Sequence, residues 1–580
     1  LWISALGILI LGAAVVAVGL IVAGDDELFS RSASKEGQWL YLHLEGPIGD
    51  GPRADSLIVD PEDIPLTVHD YAATLHAAAR DEGVAGLDLE LDMHGLGFAS
   101  AQEIRGGLTA MKDAGKPCRA WSKIYENVDW YIASACDELH IHPEGVPMAI
   151  GLKVQTSYYA GTFEKLGVAG DFERVGQFKS AIETYERTSP SESSMLMYDE
   201  LLDSLYDDFV EGVAEGRQMS LDDVRELIDD PPVTASSAVE RGMLDAMTYK
   251  DAWAEEHEEP TPFKEYAAEL QNTWRRSDQQ VAVVHLGGQI MDGESSSGGF
   301  GGAVIGDASV VPMLERLAED EDVIAVVLRV DSPGGSALAS DVMWRAIGEL
   351  KEEKPVVVSM ASYAASGGYY ISMPADYIYA QPSTITGSIG VFGGKFAMAG
   401  LYEKLGVSTW SSQRGELAML YNLERPFSDA ERSKVRERIE AFYDTFVTKA
   451  AEGRGMTWDE IDGVAGGRVW TGSQALEVGL VDEIGGIEQA VAKAIELAAP
   501  AEPDEIGRRI LPRRQTLMEA LLKGLNSQQV QTTKLELQQE ALSELLGPEL
   551  TDTLAYGQSL QRALAGGGIA AMDPVRVTIR

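Results

Sequence analysis

Residues 364–368 read AASGG and place one serine hydroxyl, that of Ser366, among residues with almost no side chain. Small residues around a serine most often indicate close packing of the backbone and no chemistry. A serine becomes a nucleophile only when a base lies beside it and backbone N–H groups face the oxygen that develops negative charge. The sequence must therefore supply a base and a donor turn before Ser366 can be interpreted as catalytic.

The chain contains an internal duplication, and the two copies can be compared with each other. Residues 163–168 read FEKLGV and residues 402–407 read YEKLGV, an offset of 239 residues. The same offset aligns VAGLDLELD with VIAVVLRVD, and offsets of 242 upstream and 237 downstream align further stretches. Such a drift is typical of small loop insertions in a tandem duplication. The two copies are predicted to span residues 37–250 and 280–500.

The second copy alone carries the serine and the glycines around it. At the offset of 239, Ser366 corresponds to Asn127, which has no hydroxyl. The second copy also runs from a strand into a Pro-Gly-Gly turn, LRVDSPGGS, where the first copy reads LELDMHGLG. Adjacent glycines after a strand can leave backbone N–H groups to point at an oxyanion. The predicted donors are Gly367 and either Gly334 or Gly335.

Two kinds of side chain are candidates for the base. No histidine lies beyond residue 285, so the second copy offers only His285, and a histidine triad with Ser366 requires both copies. The stretch RVGQFKSAIETY places Lys179 among apolar residues, where burial can lower a lysine pKa of about 10.4 by several units. The offset sets Lys179 against Ala418. Each copy thus lacks the group that the other carries, and this complementarity favours the lysine.

Neither a metal site nor a disulfide framework is predicted. His140 and His142 form an HxH pair, but the duplication aligns them with a tyrosine and a glutamine on an ordinary strand. Cys118 and Cys136 belong to no CxxC or Cys/His grouping and are interpreted as buried thiols. We expect no metal, nucleotide or other cofactor.

The elements that must position these residues follow from the patterning. Within each copy, β-branched runs such as AVVLRVD and PVVVSM alternate with amphipathic segments such as ASDVMWRAIGELKEE. Strands buried on both faces and separated by helices predict an α/β fold with mainly parallel sheets and crossover helices. Acidic, proline-bearing residues 251–279 are predicted to link the copies. Residues 501–580 are predicted to form a mostly helical extension in which LELQQEALSELL is a packing helix.

Charge and hydropathy set limits on partners and location. The 47 basic and 92 acidic residues give a net charge of −45, which repels phosphate backbones and argues against nucleic acid as a partner. Residues 1–24 carry no formal charge, and a helix of that length extends about 36 Å, enough to cross a hydrocarbon core of about 30 Å. We interpret this segment as a retained transmembrane signal anchor that leaves the body of the protein on the exported side.

Four motifs taken together resemble one known family. GQFKSAIE, RVDSPGGS, AASGGYYIS and PSTITGSIGVFGG are similar to motifs of the bacterial signal peptide peptidase A family in its long, two-repeat, membrane-anchored form. The resemblance covers roughly residues 37–500 and the anchor. It implies two tandem repeats of the fold shared by the Clp protease and the crotonases, and four protomers that form a bowl. It also implies that a Ser/Lys dyad hydrolyses peptide bonds without a cofactor.

Mapped by motif, the resemblance implies that Ser366 is the nucleophile and Lys179 the general base. Ser388, in TGSIG, resembles the family serine that hydrogen-bonds the lysine head. The implied substrates are hydrophobic peptides such as remnants of signal peptides. The implied location is the bacterial cytoplasmic membrane, with a single span and a periplasmic catalytic body.

Two alternatives stay open on the residues alone. One is an acyl-CoA enzyme of the crotonase type, because a Gly-Gly oxyanion turn also serves thioesters. The other is a noncatalytic, membrane-tethered scaffold whose degenerate peptidase repeats bind peptides.

Overall fold

The structure is a computed structural model, and it describes residues 37–52, 57–58, 65–257, 259–296, 303–513, 515–516 and 569–572. Both strands and helices are distributed over the two copies. The strands are β1 Gln38–Glu45, β2 Leu57–Ile58, β3 Val84–Asp92, β4 Cys118–Glu126, β5 Glu138–Met148, β6 Ala169–Val175, β7 Ala246–Met247, β8 Thr261–Pro262, β9 Gln280–Gly287, β10 Gln289–Met291, β11 Val304–Gly306, β12 Val323–Ser332, β13 Gly334–Ser336, β14 Val356–Ala365, β15 Tyr377–Ala380, β16 Ile385–Gly387, β17 Val391–Ala397, β18 Val469–Thr471, β19 Glu483–Ile484, β20 Gly507–Leu511, β21 Gln515–Thr516 and β22 Ile569–Met572.

The helices connect most of these strands. They are α1 Val68–Arg80, α2 Phe98–Asp113, α3 Asn127–Ala133, α4 Ala160–Leu166, α5 Glu183–Glu186, α6 Glu192–Arg217, α7 Leu221–Asp229, α8 Ala235–Glu240, α9 Lys250–Ala254, α10 Phe263–Arg275, α11 Asp307–Glu319, α12 Ala337–Glu353, α13 Gly367–Ser372, α14 Ala399–Leu405, α15 Asp429–Arg454, α16 Trp458–Val464, α17 Gly472–Glu477 and α18 Ile487–Ala498. Two 3₁₀ turns, Ser180–Ile182 and Pro503–Glu505, complete the set in the described residues.

Each repeat is built on a mainly parallel sheet, as the patterning predicts. The first sheet has the order β7-β5-β4-β3-β1-β8 and is parallel throughout its register. The second has the order β18-β16-β14-β12-β9-β20, with only β16 and β18 antiparallel along this path. The central strands are buried on both faces, because helices cover the two sides of a parallel sheet.

The duplication recurs in the elements themselves. Helices α6 and α15 both contain 26 residues and begin and end 237 residues apart. Each begins after a serine whose hydroxyl accepts from the backbone N–H three residues later, Ser191 in α6 and Ser428 in α15. Each also ends at a residue in the left-handed conformation, Gln218 and Gly455. Equivalent local signals therefore produce equivalent helices.

A third sheet joins the two repeats, and the sequence patterns do not predict it. Its order is β11-β10-β13-β22-β17-β6. Strand β6 comes from the first repeat and pairs antiparallel with all of β17 from the second, from Val391 opposite Val175 to Ala397 opposite Ala169. This pairing carries the chain that leads to Lys179 into the second repeat.

Parts of the sequence predictions fall outside the described residues. The anchor predicted at residues 1–24 lies there, as does the LELQQEALSELL segment of the C-terminal extension. Among the residues that the structure does describe, no helix is both long and apolar enough to span a bilayer. The described parts of residues 501–580 form one 3₁₀ turn and the strands β20, β21 and β22.

The interpretation of the two cysteines as thiols is wrong. Cys118 and Cys136 form a disulfide. Cys118 begins β4, and its backbone is held to the residue after Cys136 by two hydrogen bonds, with the Asp137 N–H donating to the Cys118 carbonyl at 2.8 Å and the Asp137 carboxylate accepting from the Cys118 N–H at 2.9 Å. The fold brings the sulfurs together across a helix, and a lone pair of cysteines 18 residues apart gives no spacing signal of this.

A buried ionic cluster holds the two repeats against each other. Arg329 on β12 is 1% exposed; it donates to Asp50 at 2.6 Å and to Glu103 at 2.7 Å, both from the first repeat. Burial alone would raise the pKa of Asp50, but Arg329 and His285 lower it below its usual range. Asp50 is thus charged at neutral pH, and its contribution to the cluster is lost as the pH falls through that lowered pKa.

Replacing Arg329 tests how strongly this cluster holds the repeats together. Arg329→Ala leaves Asp50 and Glu103 buried without their cation, which should cost about 3–5 kcal/mol of unfolding free energy in urea titrations. Arg345→Ala is the matched control, because Arg345 makes an exposed helical ion pair with Glu349 whose loss should change little. Equal midpoints for the two variants would refute a structural role for the cluster.

Candidate active site

Ser366 lies at the sharp turn between β14, which ends at Ala365, and α13, which begins at Gly367. Its backbone has φ 55° and ψ −112°, a conformation that residues other than glycine rarely adopt. The Ser366 N–H donates to the Gly387 carbonyl at 2.8 Å and helps to hold the strained residue. Strain of this kind clusters at functional sites, where a strand-to-helix turn presents a side chain.

The glycines after Ser366 are required by close contacts. A Cβ atom on Gly367 would lie 2.7 Å from Ser340 Oγ and 3.1 Å from the Gly335 nitrogen. A Cβ atom on Gly368 would lie 2.6 Å from the Ser332 carbonyl oxygen. The small residues of AASGG therefore do pack closely, and this packing brings the turn before α12 against the serine.

Lys179 reaches Ser366 from the first repeat. It follows β6, begins the 3₁₀ turn Ser180–Ile182 as its N-cap, and is 0% exposed. Its Nζ atom lies 2.7 Å from Ser366 Oγ, 2.9 Å from Ser388 Oγ and 3.0 Å from the Ser388 carbonyl oxygen. Ser366 is likewise 0% exposed. The structure brings together the three polar side chains that the motifs indicate.

The contacts of the amine suit its neutral form. A neutral amine has two N–H groups and one lone pair, and a carbonyl oxygen can only accept. When both N–H groups donate to the two oxygens of Ser388, the lone pair is left to accept the Ser366 hydroxyl proton. Burial favours the same form, because removing a charge from water is costly. Such an arrangement can deprotonate an alcohol.

Glycines of the second repeat pack closely against the backbone and side chain of Lys179. A Cβ atom on Gly467, which has φ 80°, would lie 2.5 Å from both the backbone nitrogen and the Cβ atom of Lys179. A Cβ atom on Gly390 would lie 3.3 Å from Lys179 Cδ. The Gly466 carbonyl accepts from the Phe178 N–H at 3.0 Å. The aliphatic part of the lysine side chain therefore lies against glycine backbone, and we call Gly390, Gly466 and Gly467 the glycine sleeve.

The three glycines predicted to donate to an oxyanion lie close together, but their N–H groups differ in their hydrogen-bond partners. Gly334 has φ 98°, and its N–H donates to the buried hydroxyl of Ser332 at 3.1 Å. Gly367 is the first residue of α13, a position whose N–H has no acceptor within the helix. Gly367 is therefore better placed than Gly334 to donate toward an oxyanion, and the Gly335 nitrogen lies beside it.

The counterparts of Ser366 and Lys179 in the other copy, and the histidines considered as alternatives, make other contacts. Asn127 donates to the Gly151 carbonyl at 2.9 Å, and Ala418 is exposed. His285 contacts His69 at 3.0 Å near the ionic cluster. His140 contacts Thr248 at 2.9 Å and Glu138 at 3.2 Å on β5.

The sequence analysis missed the sleeve glycines Gly466 and Gly467. The same comparison of copies could have found them, because at the downstream offset of 237 they correspond to Asp229 and Asp230. A pair of glycines in one copy against a pair of aspartates in the other is the kind of difference that singles out Ser366.

Comparison with known proteins gives the class of the protein. It is 33% identical to the chloroplastic serine protease SPPA of Arabidopsis thaliana over 85% of this chain and 74% of that one. It is 31% identical to Protease 4 of Haemophilus influenzae over 85% of this chain and 84% of that one. Among solved structures, a mutant of the 1510-N membrane-bound stomatin-specific protease covers 41% of this chain and 99% of its own, with 18% identity and a TM-score of 0.26. The protein is a serine protease.

The family follows from a profile match in both repeats. The description "Peptidase family S49" matches residues 110–261 and 348–500. The chain therefore belongs to peptidase family S49, with one family domain in each copy. The resemblance predicted from the four motifs is confirmed, and the acyl-CoA and scaffold alternatives lose their support.

Gly467→Ala tests whether the sleeve positions the lysine. The new Cβ atom would overlap Lys179, so we expect labelling by a fluorophosphonate to slow at least about tenfold with the circular dichroism spectrum unchanged. Gly463→Ala is the control, since a Cβ atom there meets nothing within 4 Å. Labelling of Gly467→Ala at the rate of the unmodified protein would show that the close approach does not position Lys179.

Proposed function

We propose that the protein is a membrane-anchored endopeptidase in which Ser366 is the nucleophile and Lys179 the general base. The single observation that carries this proposal is the contact of 2.7 Å between Lys179 Nζ and Ser366 Oγ, made by two fully buried side chains from different repeats. Ser388 supports it as the residue that orients the amine through two oxygens.

The chemistry proceeds in two halves. Lys179 accepts the Ser366 proton as the oxygen attacks the scissile carbonyl carbon, and a tetrahedral intermediate forms. The lysine ammonium then gives this proton to the leaving amine, and an acyl-enzyme remains. Water, deprotonated by the same amine, hydrolyses the ester and restores Ser366. The N–H groups of Gly367 and Gly335 stabilise the oxyanion, each by about 3 kcal/mol.

The substrates proposed are short hydrophobic peptides such as remnants of signal peptides, cut without a metal or other cofactor. Residues 1–24 would anchor the chain in the bacterial cytoplasmic membrane and place the body in the periplasm. The Cys118–Cys136 disulfide supports an exported body, because disulfides persist in oxidising compartments. The resemblance of the motifs is the other support for this location.

The proposed assembly is a homotetramer, and one exposed face supports self-association. Helices α4 and α14 lie side by side, with the Leu401 N–H donating to the Gly167 carbonyl at 2.9 Å, yet neither helix has a buried residue. Leu405 is 67% exposed and the nearby Trp410 is 89% exposed. Exposed apolar side chains grouped in this way mark interaction surfaces.

Charges on this face should disrupt the assembly. We expect Leu405→Glu combined with Trp410→Glu to shift the mass measured by light scattering in detergent from that of four chains to that of one. Val233→Glu is the control, because Val233 is 83% exposed and precedes α8, which packs on β5 and β7. A tetramer that survives the double substitution would exclude this face as its interface.

The dyad is tested by two substitutions and two matched controls. Ser366→Ala should abolish fluorophosphonate labelling, and Lys179→Met should reduce peptide hydrolysis at least about 10³-fold. Ser372→Ala and Lys395→Met are controls, since both side chains are buried and donate to backbone carbonyl oxygens, those of Gly368, Leu420 and Asn422. Hydrolysis should fall toward acid pH as the amine gains a proton. Labelling that persists in both dyad variants would refute the assignment.

A further inference from the structure

A buried carboxylate, that of Glu183, holds together the segment that carries Lys179. Glu183 begins α5, and its side chain is 3% exposed. One of its oxygens accepts from Arg174 Nη1 at 2.9 Å, and the other accepts from the Ser191 N–H at 3.0 Å and from Ser194 Oγ at 2.9 Å. Burial alone would raise the pKa of Glu183, but these hydrogen bonds lower it below its usual range. The carboxylate is therefore charged at neutral pH.

Arg174 connects this carboxylate to the backbone of Lys179. It lies on β6, one residue before the strand ends, and its side chain is 29% exposed. The same Nη1 atom that contacts Glu183 also donates to the Lys179 carbonyl oxygen at 2.9 Å. The backbone of Lys179 additionally lies in close contact with Gly467. The ion pair thus helps to fix the residue from which the amine extends.

The ion pair occurs only in the copy that carries the lysine. At the offset of 239 residues, Arg174 corresponds to Gln413. At the same offset, Glu183 corresponds to Asn422. Gln413 is exposed, and the Asn422 side chain accepts from the Glu424 N–H at 2.7 Å. Both positions thus exchange a charge for a neutral amide where the lysine is absent, which is the kind of difference between the copies that singles out the lysine itself.

Other titratable groups lie around the lysine segment. Arg468, whose guanidinium lies over the ring of Phe178, pairs with Glu200 of α6. Burial raises the pKa of Glu186, at the end of α5, to about 7, and its carboxylate accepts from a backbone N–H of β6. The neighbouring tyrosines, which are neutral at pH 7, are Tyr185, Tyr198, Tyr363 and Tyr443. A substitution within the ion pair leaves all of these groups in place.

We propose that Arg174 and Glu183 are positioning residues for Lys179, and that their paired charges keep the electric field at its amine balanced. This inference rests on the proposed function, because it assigns a task toward the general base of the same dyad. A lone cation near the amine would disfavour protonation of the amine, and a lone anion would favour it. Two opposite charges in contact present neither, so the amine stays a base while its backbone is held.

Removal of one charge should move the pH profile in a direction set by the charge that remains. The measurement is the midpoint of the acid limb of kcat/KM for a fluorogenic apolar peptide. In Arg174→Gln the Glu183 carboxylate stays and stabilises the ammonium form of Lys179, so the midpoint should rise by at least about half a pH unit. In Glu183→Gln the guanidinium stays, and the midpoint should fall by a similar amount. The double variant should return it to its original pH.

Two further variants separate the effect of charge from damage to the fold. Arg174→Lys keeps a positive charge beside Glu183, so its midpoint should match that of the unmodified protein. Arg217→Gln is the matched control, because Arg217 pairs with Asp245 at the opposite end of α6, about 35 Å along the helix from Ser194. If circular dichroism shows that Glu183→Gln does not fold, Arg174→Gln and Arg174→Lys still decide, and equal midpoints for these two would overturn the inference.

A titration of the amine itself separates this inference from the dyad assignment. In protein made with ¹³C-labelled lysine, the Cε signal of Lys179 is identified by its loss in Lys179→Met, and its chemical shift follows protonation of the amine. Equal titration midpoints in Arg174→Gln and Glu183→Gln would overturn the inference even if a fluorophosphonate labels Ser366. Midpoints displaced in opposite directions, with no labelling of Ser366 in any variant, would uphold the positioning pair and refute the proposed function.

Discussion

The structure depends on one constraint: an amine must be kept dry to remain a base, and a hydroxyl must be held against it. Lys179 and Ser366 meet this constraint where the two repeats come together, and both side chains are fully buried there. Neither repeat contains the pair alone. The surfaces that join the repeats therefore determine the geometry of the candidate site, and a small displacement between them would change a distance on which proton transfer depends.

Two kinds of contact fix the position of one repeat relative to the other. The antiparallel pairing of β6 with β17 extends a sheet of the second repeat with a strand of the first, so the segment before Lys179 is aligned by backbone hydrogen bonds. The cluster of Arg329 with Asp50 and Glu103 adds buried charged contacts between the two repeats. Directional polar contacts set orientation, and the apolar cores on either side provide most of the stability.

Much of the site could be predicted because the chain carries its own reference sequence. Comparing copies separated Ser366 and Lys179 from the other serines and lysines, and strand patterns predicted the parallel sheets. The third sheet could not be predicted, since its strands are short or lie far apart in the sequence and pair only after both repeats have formed. The disulfide could not be predicted either, because a lone pair of cysteines 18 residues apart gives no spacing signal. The contact of Gly467 with Lys179 joins two backbones, and in the sequence it is indicated only by two glycines in one copy set against two aspartates in the other.

The order of the parts along the chain has a consequence for biosynthesis. The lysine segment is made first, its strand partner β17 comes more than 200 residues later, and the glycine sleeve follows after that. A nascent chain therefore has no assembled pair of Lys179 and Ser366 until nearly the whole second repeat has been produced. Because the two groups of the proposed dyad are divided between the repeats, the duplication delays assembly of the candidate site, and a partly synthesised chain could not use it to cut its own unfolded polypeptide.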